Sequence, residues 1–253
     1  MEQSSRTRAG DGAVIFQSTI LTMDQRRPAA EAVIVKDGMI VDVGAIDNLV
    51  EAYPGASFDE RYLRHVLTPA FVDVRKRAAG GTILPLECGG RREAQFAEIE
   101  RAVADGTSGR VAIEAHRGLS LDEANRIGAL GAVIILRDDP LANDCAIGDL
   151  SPSPAMPILS GRIALAAAIG ETNLLKAAGA RLGDAAPIRL APREALEAIT
   201  IDAAFALGVE VERGMIAPGL RADFAALDRN PLVTPGESWG DINVDRVEPN
   251  AAR

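Results

Sequence analysis

Apolar positions fall into two textures along the chain. At both ends they form short runs rich in β-branched residues, and in between they alternate between strand-type and helix-type spacing. Residues 13–16, 19–23, 32–35 and 39–43 are β-branched runs bounded by turn formers, which predicts four short strands. Asp37-Gly38 lies between the last two and predicts a hairpin, because the tight turn needs residues that tolerate positive φ. Residues 46–53 read as a short helix stopped by Pro54-Gly55, and 66–72 as another apolar stretch with Pro69 inside it.

From about residue 80 the pattern changes. Residues 82–86, 111–115 and 132–136 read as strands, the last as a buried parallel one, and 93–103 and 121–130 as amphipathic helices. Residues 138–160, rich in Pro, Ser, Asp and Asn, read as a long loop, and the Ala-rich runs 163–168 and 172–178 as helices. Pro192 opens a helix to Leu207 with a stripe of Leu196, Ile199, Ala203 and Leu207, and Gly208 ends it. Pro218-Gly219 forms a turn between two further strands.

This alternation predicts an α/β fold with parallel strands in the middle of the chain. Residues 67–211 would form a truncated TIM-barrel-like α/β layer of four or five strand–helix units, since a closed eight-stranded barrel takes at least ~200 residues. The strand clusters at the ends, residues 1–66 and 212–253, would pair into one discontinuous small β-sandwich, a composite domain.

The 253 residues carry a net charge of −9, which argues against nucleic acid or an anionic membrane surface as partner. No apolar run approaches the ~20 residues of a membrane span, and the start of the chain lacks the apolar core of a secretion signal. Cys88 and Cys145 stand far apart and outside any Cys-x-x-Cys pair, which fits reduced thiols; together these features predict a cytoplasmic protein.

Several segments resemble metal-dependent amidohydrolases, most closely the amidohydrolase 3 branch. Residues 32–44 and 215–228, the latter with Pro218-Gly219-Leu220-Arg221-Ala222-Asp223, resemble the β-domain that brackets the barrel in that family. Leu67-Thr68-Pro69-Ala70-Phe71-Val72-Asp73 resembles the end of its first barrel strand, and Ile113-Glu114-Ala115-His116 a later one. Residues 178–187 resemble its last strand, and residues 192–231 the segment that follows. The resemblance implies a barrel that hydrolyses C–N bonds other than peptide bonds. It also implies a divalent metal such as zinc, held by a His-x-His pair, further histidines and a last-strand aspartate, which lowers the pKa of a bound water.

The residues at those positions argue against that chemistry. Aligned on Phe71-Val72-Asp73, the two histidine positions hold Arg75 and Arg77, whose guanidiniums offer no lone pair and repel a cation. A third position holds Ala115, with His116 one residue on and turned to the other face of its strand. Asp184 matches the last-strand aspartate and reads as a relic catalytic residue. No metal and no cofactor is expected.

Arg75 and Arg77, with Lys76, are candidate substrate-binding residues for a small carboxylate or phosphate ligand, or a solvated charge run. A relocated site would draw on Asp73, Glu87, Cys88, Glu114, His116 and Asp184, but no two share a spacing that fixes ligands on one element. Cys88 has no histidine placed by motif to activate it as a nucleophile. The expected function is a degenerate amidohydrolase serving as a non-catalytic subunit or scaffold, as a homo-oligomer or partner of an active relative. The alternative is a hydrolase with a non-standard site around Asp73, Glu114, His116 and Asp184.

Overall fold

The structure, a computed structural model, describes residues 12–75, 81–86, 92–105, 110–115, 121–137, 162–166, 171–183 and 190–247. The chain divides into two compact units. One is Met1–Ala70, Met215–Asn230 and Asn243–Arg253; the other is Phe71–Gly214 and Pro231–Ile242.

The first unit is built on one sheet. Strands β1 (Val14–Leu21), β2 (Ala29–Lys36) and β3 (Met39–Gly44) form an antiparallel meander; β1 also pairs in parallel with β4 (Ser57–Asp59) and β5 (Val66–Pro69). β5 pairs antiparallel with β10 (Phe224–Leu227), which pairs with β11 (Val244–Val247). Strands from both ends of the chain thus share a ladder and bury one core of Phe16, Ile20, Val33, Leu67, Phe224 and Val247. Helix α1 (Ile46–Ala52) closes a second cluster through Leu49 against Ile15 and Ile34. The β2–β3 turn has the expected hairpin geometry, with Asp37 at φ 52° and Gly38 at φ 75°. Two separate strands were expected over 13–23. Instead β1 runs through with a register shift between Gln17 and Ile20, and Ser18 is tied down by donating its hydroxyl to the His65 carbonyl.

The second unit holds a parallel sheet with strands in sequence order: β6 (Gly81–Leu86), β7 (Arg110–Ala115), β8 (Val133–Arg137) and β9 (Arg162–Ala166). Helices α2 (Arg92–Ala104), α3 (Leu121–Ala129) and α4 (Glu171–Ala180) join and flank it, giving the α/β class expected, with no closed barrel among the described residues. α2 and α3 lock together through Arg92–Glu123 at 2.8 Å and Arg126–Glu100 at 2.6 Å, with Arg126 stacked on Phe96.

Two expectations are corrected in this unit. Residues 163–168 were read as helix, but Ile163–Ala166 belong to β9, because pairing with β8 over five positions outweighs the helix preference of two alanines. The single helix expected from Pro192 to Leu207 is two, α5 (Pro192–Glu197) and α6 (Ile201–Leu207). The chain breaks at Thr200, whose backbone is non-helical at φ −125°, ψ −96° and whose buried hydroxyl donates to the Leu196 carbonyl at 2.7 Å. Gly208 ends α6 in the left-handed conformation, as its sequence position predicts.

Candidate functional site

The register of the parallel sheet sorts its side chains onto two faces. Ala112 pairs with Val133, and Glu114 with Ile135, which pairs with Ala164. These residues and Ala166 therefore share one face, since paired positions in neighbouring strands point the same way. That face is packed by Ala203, Ala204, Ala206 and Leu207 of α6, with Val72 and Val74 alongside. The alanines of α6 let its backbone come close to the strands at Ala112, Val133, Ile135, Ala164 and Ala166, while Glu114, farther along β7 on the same face, is half-buried. Val111, Ile113, Ile134 and Ile163 lie on the other face and are buried as well.

Asp73 and Arg75 are the two sequence candidates brought together. Asp73 accepts the Arg75 backbone N–H at 3.0 Å, Nε at 2.9 Å and Nη2 at 2.8 Å. The carboxylate caps the turn and takes the guanidinium fork in a two-point pair, and these hydrogen bonds hold Arg75 above the ordinary arginine pKa. The edge of Arg75 that would grip an anion is turned to Asp73. Glu114 sits half-buried near the end of β7, between Pro85 and Ile135 in register. Lys76, Arg77, Glu87, Cys88, His116, Cys145 and Asp184 lie outside the described residues.

The positions where the resemblance implies metal ligands hold arginine and alanine. Arg75 has no lone pair to give and is held by Asp73, Ala115 carries no donor, and Arg77 is a second fixed cation by sequence. Among the described residues no three His, Cys, Asp or Glu side chains form a group that could hold a metal ion.

A charged cluster that no sequence pattern marks lies where β9 and α6 begin. Arg162 Nη1 donates to Asp202 Oδ1 at 2.7 Å, and its guanidinium lies 4.4 Å from the centre of the Phe205 ring. Burial pushes the Asp202 carboxyl up to about 6; Arg162 pulls it down, and the Glu197 carboxylate adds to the rise. Arg193 holds Glu197 at 3.0 Å. Forty residues separate the partners of the central pair, and no local pattern links them.

Residues 166–246 match the model of an amidohydrolase family. Imidazolonepropionase from Deinococcus deserti is 33% identical over 159 residues, 60% of this chain and 33% of that protein. Imidazolonepropionase from Deinococcus radiodurans is 32% identical over 173 residues, 65% of this chain and 34% of its own length. The chain thus spans about a third of the length of these curated relatives. Among solved structures, molinate hydrolase superposes with a TM-score of 0.50 at 10% identity, over 95% of this chain and 94% of its own. An amidohydrolase from Thermotoga maritima MSB8 gives 0.48 at 11% identity, over 87% of this chain and 95% of its own. No helix of the described residues is long and apolar enough to cross a membrane.

Proposed function

We propose, for a chain that belongs to the amidohydrolase superfamily, a role as a non-catalytic subunit or scaffold without metal-dependent hydrolysis. The observation that carries this reading is the donor set: arginine and alanine stand where the resemblance calls for histidine. The Arg75 guanidinium is moreover engaged by the Asp73 carboxylate. A subunit role implies a protein partner, either a second copy or an active relative. Any small anionic ligand would be drawn to the charges of Arg75 and Arg77.

The test is metal analysis and turnover on the full chain. Purified protein should carry well under one equivalent of zinc. It should leave imidazolonepropionate, the substrate that names its relatives, and generic amides and esters unhydrolysed above background. Light scattering should give a mass above the 26.6 kDa of one chain, or co-purification should recover an active relative. Near-stoichiometric zinc together with chelator-sensitive turnover would overturn the proposal. It would turn attention to Asp73, Glu114, His116 and Asp184, to be replaced one at a time.

A further inference from the structure

The register of the sheet in the first unit assigns each side chain to one of two faces. Phe16, Val33, Val35, Ile40 and Val43 look into the main core. Ile15 and Ile34 look the other way and meet α1 through Leu49. Phe58 of β4 pairs with Ile15, so it shares this second face. Met39 of β3 pairs with Lys36, two residues along β2 from Ile34, and shares it as well. Val41 is the extra residue of a bulge, unpaired between Ile40, set against Val35, and Asp42, set against Ile34.

α1 is too short to cover the second face. Its seven residues reach about 10 Å, while the eight residues of β2 beneath it run about 27 Å. Large apolar side chains stay in solvent around it. Met39, Val41 and Phe58 on the strands and Val50 on α1 are each between 38% and 49% exposed.

Charges of both signs accompany these side chains. Asp47, Val50 and Glu51 stand at i, i+3 and i+4, so α1 turns one strip of two acids and a valine outward. Lys36 ends β2 on this face. At the other end of β2, Arg27 Nη1 lies 3.9 Å from where a Cβ on Gly44 would stand, and Gly44 pairs with Ala32 of the same face. Among the described residues, none of these four charged side chains is engaged in an ion pair or a side-chain hydrogen bond.

Such a surface complements itself. A strongly acidic partner would be repelled by α1, and a strongly basic one by the ends of β2. A two-fold dimer brings the same patch from both sides, so the acids of one α1 can meet the cations of the partner's β2 around a shared apolar middle. We propose that this face, α1 with the uncovered ends of β2 and β3 beside it, docks a second copy of this chain in a two-fold dimer. The proposal rests on the subunit reading above and names its partner and its surface.

Sedimentation equilibrium on the full chain tests it. The mass should approach twice the 26.6 kDa of one chain and fall on dilution. Val50→Gln with Phe58→Gln should raise the dimer dissociation constant by at least about tenfold, since both are anchors at exposed positions. Lys36→Glu alone, and Asp47→Lys with Glu51→Lys, should each weaken the dimer by about tenfold. All three changes together should restore it to within about threefold of the unaltered chain, because the signs are complementary again. This charge series decides even if the Val50 and Phe58 variant fails to fold. A single-chain mass up to about 100 μM would overturn the proposal. So would a dimer that the Val50 and Phe58 changes leave as tight as before, or a triple charge variant weaker than either reversal alone. Zinc content and turnover test the non-catalytic reading separately: a hydrolytic dimer sinks that reading and leaves this surface standing, and an inactive monomer does the reverse.

Discussion

Gly179 and Gly236 meet backbone to backbone. A Cβ on Gly179 would lie 2.3 Å from the Gly236 carbonyl oxygen, and one on Gly236 would lie 2.5 Å from the Gly179 carbonyl oxygen. Gly179 is near the end of α4, and Gly236 opens a short 3-10 helix, Gly236–Asp241, that carries the buried Trp239. Trp239 Nε1 donates to the Thr234 carbonyl at 3.0 Å and its side chain packs beside Gly179. Two bare backbones are what let the two helices approach this closely.

Gly179→Ala should therefore be costly even though alanine is the better helix former. The added carbon would also sit 2.6 Å from Trp239 Cβ, so at least two groups must move. Overpacking of this kind costs about 1–3 kcal/mol. Trp239 is the one tryptophan in the chain, so its fluorescence in urea reports this contact. A midpoint unchanged by the substitution would show that the contact relaxes freely.

Phe224 tests the other unit. It is fully buried and meets Phe16 edge to face, with ring centres 6.1 Å apart, at the point where β10 joins the meander's core. Phe224→Ala should destabilise this unit by about 3–5 kcal/mol, and Phe224→Leu by much less, because most of the volume is kept. Circular dichroism melts of the two variants give the ranking. Equal effects would mean that the edge-to-face contact, not the volume, dominates.

These contrasts bear on what the chain discloses by itself. β2, β3 and their turn were legible because alternation and an Asp-Gly pair are local signals, and α2 and α3 because their buried Phe96, Ile99, Ala124 and Ile127 recur at helical spacing. β9 was not legible: Ile163-Ala164-Leu165-Ala166 is short, uniformly buried and half alanine, so only its partner strand decides its state. The break at Thr200 was hidden because the apolar stripe continues across it through Ile199 and Ala203. Asp73 and Arg75 were legible as candidates by residue type, but the pair they form was not. The packing of α6 on the sheet and the Arg162–Asp202 pair arise from contacts between distant segments, which no window of sequence contains.

The β2–β3 turn makes a sharper prediction than its neighbours. Gly38 sits at φ 75°, and its carbonyl accepts the Ala222 N–H at 2.9 Å, so the turn also fixes the C-terminal segment of its unit. Gly38→Ala should cost about 1–2 kcal/mol through the left-handed backbone. Asp37→Asn should be close to neutral, because Asn tolerates the φ of 52° found there. Thermal melts that rank the two in the opposite order would show that the turn is not held in this geometry.

The Asp73–Arg75 pair separates a salt bridge from a cap. Asp73 serves both the Arg75 guanidinium and the Arg75 backbone N–H, and its side chain is 16% exposed against 30% for the arginine. Arg75→Ala removes the ion pair but keeps the turn, so it should cost less than about 1 kcal/mol. Asp73→Asn keeps a carbonyl oxygen for the backbone N–H and should cost a similar amount, whereas Asp73→Ala removes the cap as well and should cost about 1 kcal/mol more. A double-mutant cycle with Arg75→Ala and Asp73→Asn isolates the charge term, expected at about 0.5–1 kcal/mol and reduced by salt. A coupling that salt leaves unchanged would mean that the pair acts as a buried hydrogen-bonded unit rather than a surface ion pair. In that case Arg75 would be positioned by Asp73 too firmly to turn toward an incoming anion.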